Sequence, residues 1–362
     1  MFDKLRPYIF RLESERAHAL TLAALRLAGN FTPTRWFLSQ IYKAPEKPVE
    51  LFGLRFKNPV GIAAGYDKNA TAIRGLSALG LGHVEVGTVT PKPQPGNPYP
   101  RVFRLVEDEA VINRLGFPSR GSEFVQMRLN PYLRTSMIEK YFGFVPPNKK
   151  MMKRMIDKGD LILGINIGKN KEIPNEEAAL DYVSLVDNFS AYADYLTINI
   201  SSPNTAGLRD LQEKNALEKL LKHIHDQRAI SEKYHEKRLP LLVKLSPDLS
   251  DAELDDAIEV ILSTKMDGII VTNTTLSRDG LRSQLQRESG GLSGKPLAAK
   301  SEAVLYQTLK RVNGKVPVVS VGGIMNPEDA KRRLDMGAAL IQMYTGLVYR
   351  GPWLVKEILK SL

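Results

Sequence analysis

The chain has no cysteine, and this removes disulfides, thiolate zinc sites, cysteine-ligated iron–sulfur clusters and any cysteine nucleophile or base. Histidine is almost as scarce. Its five positions are His18, His83, His223, His225 and His235, and none lies in a motif beside the serines singled out below. No apolar run approaches the roughly 20 residues of a membrane span, and no secretory signal pattern is visible. What is present is a chain of 362 residues, 43% of them hydrophobic, enough for one large core of the size often found in single-domain barrels. The formal net charge of +11 permits anionic partners such as phosphates, membrane surface or nucleic acid, but requires none of them.

Residues 1–48 differ from the rest. Phe2, Leu5, Ile9 and Leu12 recur at helical spacing among Lys4, Arg6 and Arg11. Ser14 is placed to cap a second helix over 15–28, with Gly29-Asn30 as its stop, and Trp36, Phe37 and Ile41 mark a third piece over 34–42. On the second helix the apolar positions are Ala17, Leu20, Ala24 and Leu27. Two readings stay open: an amphipathic pair lying on a membrane, or a helical cap packed on the main domain. Residues 45–48 read as a linker, so the expected division is 1–48 as a membrane-associating segment and 49–362 as the catalytic domain.

Beyond the linker, apolar strands alternate with helical segments. The expected strands are 60–64, 84–88, 161–167, 195–200, 241–245, 268–272, 316–321 and 339–343, with helices such as 251–262, 297–312 and 327–336 between them. Eight strand–helix repeats point to an α/β fold, a (β/α)8 TIM barrel. A doubly wound sheet fits less well, because polar or glycine-rich residues follow nearly every strand, as they do when eight loops build one face.

The stretch Tyr195-Leu-Thr-Ile-Asn-Ile-Ser-Ser-Pro-Asn204 carries the clearest chemistry. A β-branched strand runs to Pro203, which cannot continue a ladder. It delivers two amides and two hydroxyls to one rim, suited to a planar ligand whose edge alternates N–H and C=O. Other strand ends repeat the pattern. Lys68 follows the first strand, Gly87-Thr88 ends the second, Asn166 lies in the third, Lys244 ends the fifth, and the sixth runs into Thr272-Asn-Thr-Thr275. Gly322-Gly323 and Tyr344-Thr-Gly346 follow the last two, where barrels commonly hold phosphate on backbone N–H groups.

With these motifs in hand, the chain resembles the quinone-dependent, membrane-associated (class 2) dihydroorotate dehydrogenases over almost its whole length. The resemblance rests on Ala63-Ala-Gly-Tyr-Asp-Lys68, Gly87-Thr-Val-Thr-Pro91, Gln94-Pro-Gly-Asn97 and Ile112-Asn-Arg-Leu-Gly-Phe117. It continues through Gly164-Ile-Asn-Ile-Gly-Lys-Asn170, Asn199-Ile-Ser-Ser-Pro-Asn204, Val271-Thr-Asn-Thr-Thr275, Gly290-Gly-Leu-Ser-Gly294 and Val321-Gly-Gly-Ile324. Relatives with soluble acceptors carry a cysteine where this chain has Ser202, and some need an iron–sulfur partner subunit. None is expected here.

The resemblance implies an FMN enzyme that oxidises dihydroorotate to orotate and passes electrons to a membrane quinone, in pyrimidine biosynthesis. It implies FMN contacts from Ala64, Gly65, Tyr66, Asp67, Lys68, Thr88, Asn166, Asn199, Lys244, Thr272, Gly294, Gly323, Tyr344 and Thr345. The substrate would be held by Lys68, Asn113, Arg114, Leu115, Gly116, Phe117, Asn199, Asn204, Asn273 and Thr274. Ser202 would take the C5 proton while hydride leaves C6. A serine is a weak base without a proton acceptor, so a hydroxyl or water relay is expected that the sequence does not identify. His18, Arg104 and Tyr344 would lie near the quinone head, in a slot walled by Leu5, Ile9, Ala17, Leu20 and Ala24. A metal is not expected.

The expected setting is a monomer on the cytoplasmic face of a bacterial cell membrane, bound to its anionic surface, with no nucleic-acid partner. A barrel that reduces uracil rings in tRNA would suit the charge but uses a cysteine acid that this chain lacks. The long basic connection over 118–160 (Arg134, Lys140, Tyr141, Phe142, Phe144, Lys149, Lys150) reads as an added helix and loop.

Overall fold

The computed structural model describes residues 2–129 and 161–362; the basic, aromatic part of the 118–160 connection lies outside the described residues. Three helices open the chain, α1 (Phe2–Ile9), α2 (Ser14–Asn30) and α3 (Thr32–Ile41). An antiparallel hairpin follows, β1 (Val49–Leu51) with β2 (Leu54–Phe56). Eight parallel strands then close a barrel: β3 (Val60–Ile62), β4 (His83–Val89), β7 (Ile162–Ile167), β8 (Tyr195–Asn199), β9 (Leu241–Leu245), β10 (Gly268–Val271), β12 (Val318–Val321) and β13 (Leu340–Met343). All eight expected strands are barrel staves, shifted at their ends by two residues or fewer, and closure removes the doubly wound alternative. The intervening numbers belong to a small antiparallel sheet over one rim, β5 (Val102–Leu105), β6 (Ala110–Asn113) and β11 (Gly291–Gly294).

Local chemistry explains the boundaries. The helix Asp251–Ser263 starts with a capping box in which Ser250 and Glu253 satisfy each other's backbone N–H groups. The helix Pro327–Met336 starts with Asn326 bonded to Asp329 N and a proline at its first position, and it ends at Gly337 with φ 116°. At α2 the expectation needs correction. The cap is Glu13, whose carboxylate accepts from Glu15 N and Arg16 N, whereas the Ser14 hydroxyl accepts from Arg104 Nε at 3.1 Å.

Two cores result. The larger lies between strands and surrounding helices; the smaller fills the barrel bore, with Phe56, Tyr195, Leu242, Ile270, Val319 and Leu340. In the bore the period of two along each strand sets a change of polarity. His83, Leu242 and Leu340 lie low, and two residues on come Glu85, Lys244 and Gln342. Gly61 and Gly164 make the lower layer possible: a Cβ at either would collide with the rings of His83 and Tyr195 respectively.

The N-terminal segment is tied to the barrel by close approach and by polar contacts. Gly29 of α2 meets Gly75 of α4 (Ile73–Ser77), and a Cβ on Gly75 would run into the Leu25 carbonyl. Arg101 forms a bidentate pair with Glu15 (Nε to Oε2 and Nη2 to Oε1, both 3.0 Å), and Lys356 Nζ donates to Ile41 O at 2.8 Å. Gly75→Ala should therefore cost about 1–3 kcal/mol through overpacking, with proteolysis inside residues 1–48 rising before the barrel is cut. An unchanged thermal midpoint with unchanged proteolysis would show that this contact does not hold the segment.

Candidate active site

The site begins with a carboxylate inside the barrel. Glu85 has no exposed surface. It accepts from Asn166 Nδ2 (2.9 Å), Tyr195 Oη (3.2 Å) and Gln342 Nε2 (2.7 Å). Lys244, 5% exposed on β9, has its charge disfavoured by burial and favoured by Glu85. This polar layer is the floor of a cavity of about 1100 Å³, counting its open mouth.

Above the floor a chain of amides runs to the rim. Thr88 Oγ1 donates to Asn166 Oδ1 (2.6 Å), and Asn199 Nδ2 donates to both Thr88 Oγ1 (2.9 Å) and Asn166 Oδ1 (3.0 Å). Asn199 Oδ1 accepts from Asn273 Nδ2 at 3.3 Å, and Asn273 Nδ2 also donates to Ser201 Oγ at 3.0 Å. On the opposite wall Asn204 Nδ2 donates to Asn113 Oδ1 at 3.0 Å, leaving Asn204 Oδ1 buried and unpartnered among the described residues. An orphaned buried acceptor is costly unless a ligand donates to it. Ser202 Oγ accepts from Asn204 N at 3.3 Å and faces the same cavity. Three residues on, Thr205 Oγ1 is likewise buried without a partner among the described residues.

The other end of the cavity is built from glycine. Gly294, Gly322 and Gly323 have φ of +99°, +114° and +72°; a Cβ at Gly294 would strike the Glu109 carbonyl, and one at Gly323 the backbone of Ala298. Thr345 Oγ1 and Ser293 Oγ are 2.8 Å apart beside them. An elongated space with a polar floor, an amide-lined wall and a glycine cradle fits a flat ring system carrying a phosphate tail.

Most residues expected for cofactor line this cavity: Ala64, Gly65, Lys68, Thr88, Asn199, Lys244, Thr272, Gly294, Gly323, Tyr344 and Thr345. So do Asn113, Leu115, Gly116, Phe117, Ser202, Asn204, Asn273 and Thr274. Four expected residues are placed otherwise. Asn166 lies beneath the floor. Asp67 accepts from Thr71 N and Ala72 N, bracing the loop after β3. Arg114 turns to Glu288 at 2.6 Å, and Tyr66 faces a second cavity. The sequence reading missed Glu85, Tyr195, Gln342 and Ser293. For the first and third the available signal was one polar residue within an apolar strand.

The second cavity, about 1200 Å³, lies between the N-terminal helices and the barrel rim. His18, Arg104 and Tyr344 all line it. His18 bonds through Nε2 to the Tyr66 carbonyl at 2.8 Å and stacks edge-on to the Tyr66 ring; burial lowers its pKa to about 3, so it is neutral at physiological pH. The expected wall is partly corrected. Ile9 and Ala17 line the cavity, with Thr21 and Leu25, whereas Leu5, Leu20 and Ala24 do not. On α2 the inner face follows 14, 17, 18, 21 and 25, the spacing of one helical stripe. The alternative stripe points outward, leaving Leu20 59% and Leu27 72% exposed. The two cavities share Lys68, Val102, Val111, Leu115 and Tyr344 as walls. Burial, with Glu15 opposing, lowers the Lys68 pKa to about 8.

Residues 47–362 match the family model for dihydroorotate dehydrogenase. The chain is 45% identical to the dihydroorotate dehydrogenase (quinone) of Flavobacterium lutescens, over 100% of this chain and 96% of that relative. It is also 45% identical to that of Idiomarina loihiensis, over 100% of both. Among solved structures, dihydroorotate dehydrogenase of Eimeria tenella in complex with ferulenol superposes with a TM-score of 0.80 at 36% identity, covering 98% of this chain and 93% of that one. The ligand-free form gives 0.74 at 38% identity, covering 92% and 93%. Barrel, amide-lined cavity and sequence likeness thus converge, and the chain belongs to the dihydroorotate dehydrogenase family.

Proposed function

We propose that this protein oxidises dihydroorotate to orotate, with FMN in the first cavity and a membrane quinone reaching it through the second. The observation that carries this reading is that the two cavities meet at Tyr344 and Lys68. Bound FMN would supply a two-electron acceptor able to take hydride from one partner and release electrons to another. Its holders would be Lys244, Asn199 and Thr88 at the ring, the last two oriented by Asn166 beneath them, and the cradle of Gly294, Gly323 and Thr345 at the phosphate.

Substrate would sit against Asn113, Asn199, Asn204 and Asn273, whose amides match alternating N–H and C=O groups; the orphaned Asn204 Oδ1 is an acceptor ready for a substrate N–H. Lys68 would face the carboxylate. Ser202 Oγ would receive the proton from carbon, and its own proton needs an outlet. The buried hydroxyl of Thr205, in the same turn and without a partner among the described residues, supports a relay from Ser202 through water.

The outward apolar stripe of the first helices favours the membrane reading of residues 1–48 over a plain cap. Phe31, Trp36 and Phe37 are each about 60% exposed beside Leu27, more apolar surface than an exposed cap needs. No described helix is long and apolar enough to cross a membrane, so the association would be peripheral, on the cytoplasmic face of a bacterial membrane.

Three expectations follow from these roles. Ser202→Ala should retain FMN and orotate binding while flavin reduction slows about 10²–10⁴-fold; an unchanged stopped-flow rate would reduce Ser202 to a loop residue. The pH dependence of substrate binding should follow Lys68. Its ammonium is present below about pH 8 and lost above it, so KM for dihydroorotate should rise toward tenfold per pH unit above that point, and Lys68→Met should abolish the rise. A flat KM profile in the parent protein would contradict the role. Finally, removing residues 1–42 should leave flavin reduction by dihydroorotate largely intact while turnover with a long-tailed quinone and liposome binding fall on the order of tenfold or more. Full quinone turnover after truncation would rule out the second cavity as the entrance.

A further inference from the structure

Arg333, on the helix Pro327–Met336, heads the fully buried side chains by size among the described residues. Its Nη1 donates to Ser320 Oγ at 3.0 Å; its Nη2 donates to Ser301 Oγ (2.8 Å), Gly322 O (2.7 Å) and Ala298 O (3.2 Å). Nε has no partner. Among the described residues no carboxylate lies within ion-pair distance of it. The nearby acids, Glu302 and Asp329, are both engaged by the half-exposed Arg332, at 3.0 and 2.6 Å. Burial lowers the Arg333 pKa to about 10, so the group is charged at neutral pH.

A buried guanidinium held only by neutral acceptors is costly, and such charges are normally matched by an opposite one. Its acceptors point to where that charge would be. Gly322 and Ala298 flank the glycine end of the first cavity, and Gly323 lines it. The 322–323 peptide is not among the cis bonds, and in a trans peptide the carbonyl and the next N–H face opposite ways. With the Gly322 carbonyl turned to Arg333, the Gly323 N–H is turned toward the cavity, and it makes no backbone hydrogen bond among the described residues. The cation thus stands one peptide plane behind a free donor. Its field adds to that donor's for any anion in front.

We infer that Arg333 is a positioning and charge-balancing residue for the phosphate of the bound flavin nucleotide, acting through the Gly322–Gly323 peptide without touching the ligand. This rests on the flavin reading above and deepens it. A purely structural arginine would support the loop equally for any flavin; a charge-balancing one discriminates FMN from riboflavin, which lacks the phosphate.

The test strips flavin from the full-length protein and measures dissociation constants for FMN and riboflavin by fluorescence. In Arg333→Met, FMN affinity should fall on the order of tenfold or more, riboflavin affinity should change little, and Arg333→Lys should restore most of the preference for FMN. Ser301→Ala, a milder change to the same guanidinium, should shift FMN in the same direction and provides the readout where Arg333→Met does not fold. Equal losses for both flavins, or no loss of FMN affinity, would overturn the inference while leaving the flavin reading intact. Parent protein that takes up neither flavin would overturn both.

Discussion

A carboxylate with no access to water cannot be left bare, and in this barrel that requirement orders the interior. Glu85 sits where the bore turns from apolar to polar, and each partner comes from a different strand: Asn166 from β7, Tyr195 from β8 and Gln342 from β13. Hydrogen bonds to a charged group contribute about 1.5–3 kcal/mol each, and a buried partner left unmade costs comparably. The set therefore fixes the rotation of four staves about the barrel axis. Asn166, held from below, spends its oxygen on Thr88 and Asn199. The rim amides inherit their orientation from the floor, so the recognition surface is stiff before a ligand arrives.

The same rigidity bears on how the two proposed ligands, chemically opposite, would share one wall. A pyrimidine acid needs donors, acceptors and a cation, and a quinone tail needs apolar surface. Tyr344 and Lys68 border both cavities, and neither is free to swing. The Tyr344 ring packs edge-on to Tyr66, and Tyr66 in turn to His18 on α2. Lys68 Nζ is tied to the Gly65 carbonyl at 2.8 Å. The helical segment is thereby part of the site, locked to it by Arg101, which reaches Glu15 on α2 while donating to the Pro95 and Asn97 carbonyls of the rim loop.

Much of this was legible in the sequence, for identifiable reasons. Parallel strands buried on both faces read as continuous apolar runs, so the eight staves stood out, and the recurrence of amides, lysines and glycines at strand ends marked the cavity. The small sheet did not stand out. Gly291-Leu-Ser-Gly294 has the composition of a loop and becomes strand only by pairing with β6, at Leu292 with Ile112. On α2 two stripes compete for the apolar face, and the packing of Gly29 on Gly75, with the Glu15–Arg101 and His18–Tyr66 contacts, turns one of them inward. Glu85 and Gln342 look like exposed alternation until the strand is known to be a stave.

Arg333 was the least legible residue because its neighbours disguise it. In Lys331-Arg332-Arg333 it reads as one more charge on a solvated helix, yet Lys331 and Arg332 are exposed and paired while Arg333 is enclosed. What distinguishes it is a hundred-degree step around the helix, which carries the third basic residue under the loop after β12. The cavity then has buried polar groups at both ends: Glu85 with Lys244 beneath its flat part, and the Arg333 guanidinium behind the glycine cradle. In a low-dielectric interior buried charges act over longer distances than exposed ones do. On the proposed reading, a ligand that is neutral at one end and anionic at the other would be oriented by the Arg333 end of the barrel before its hydrogen bonds form.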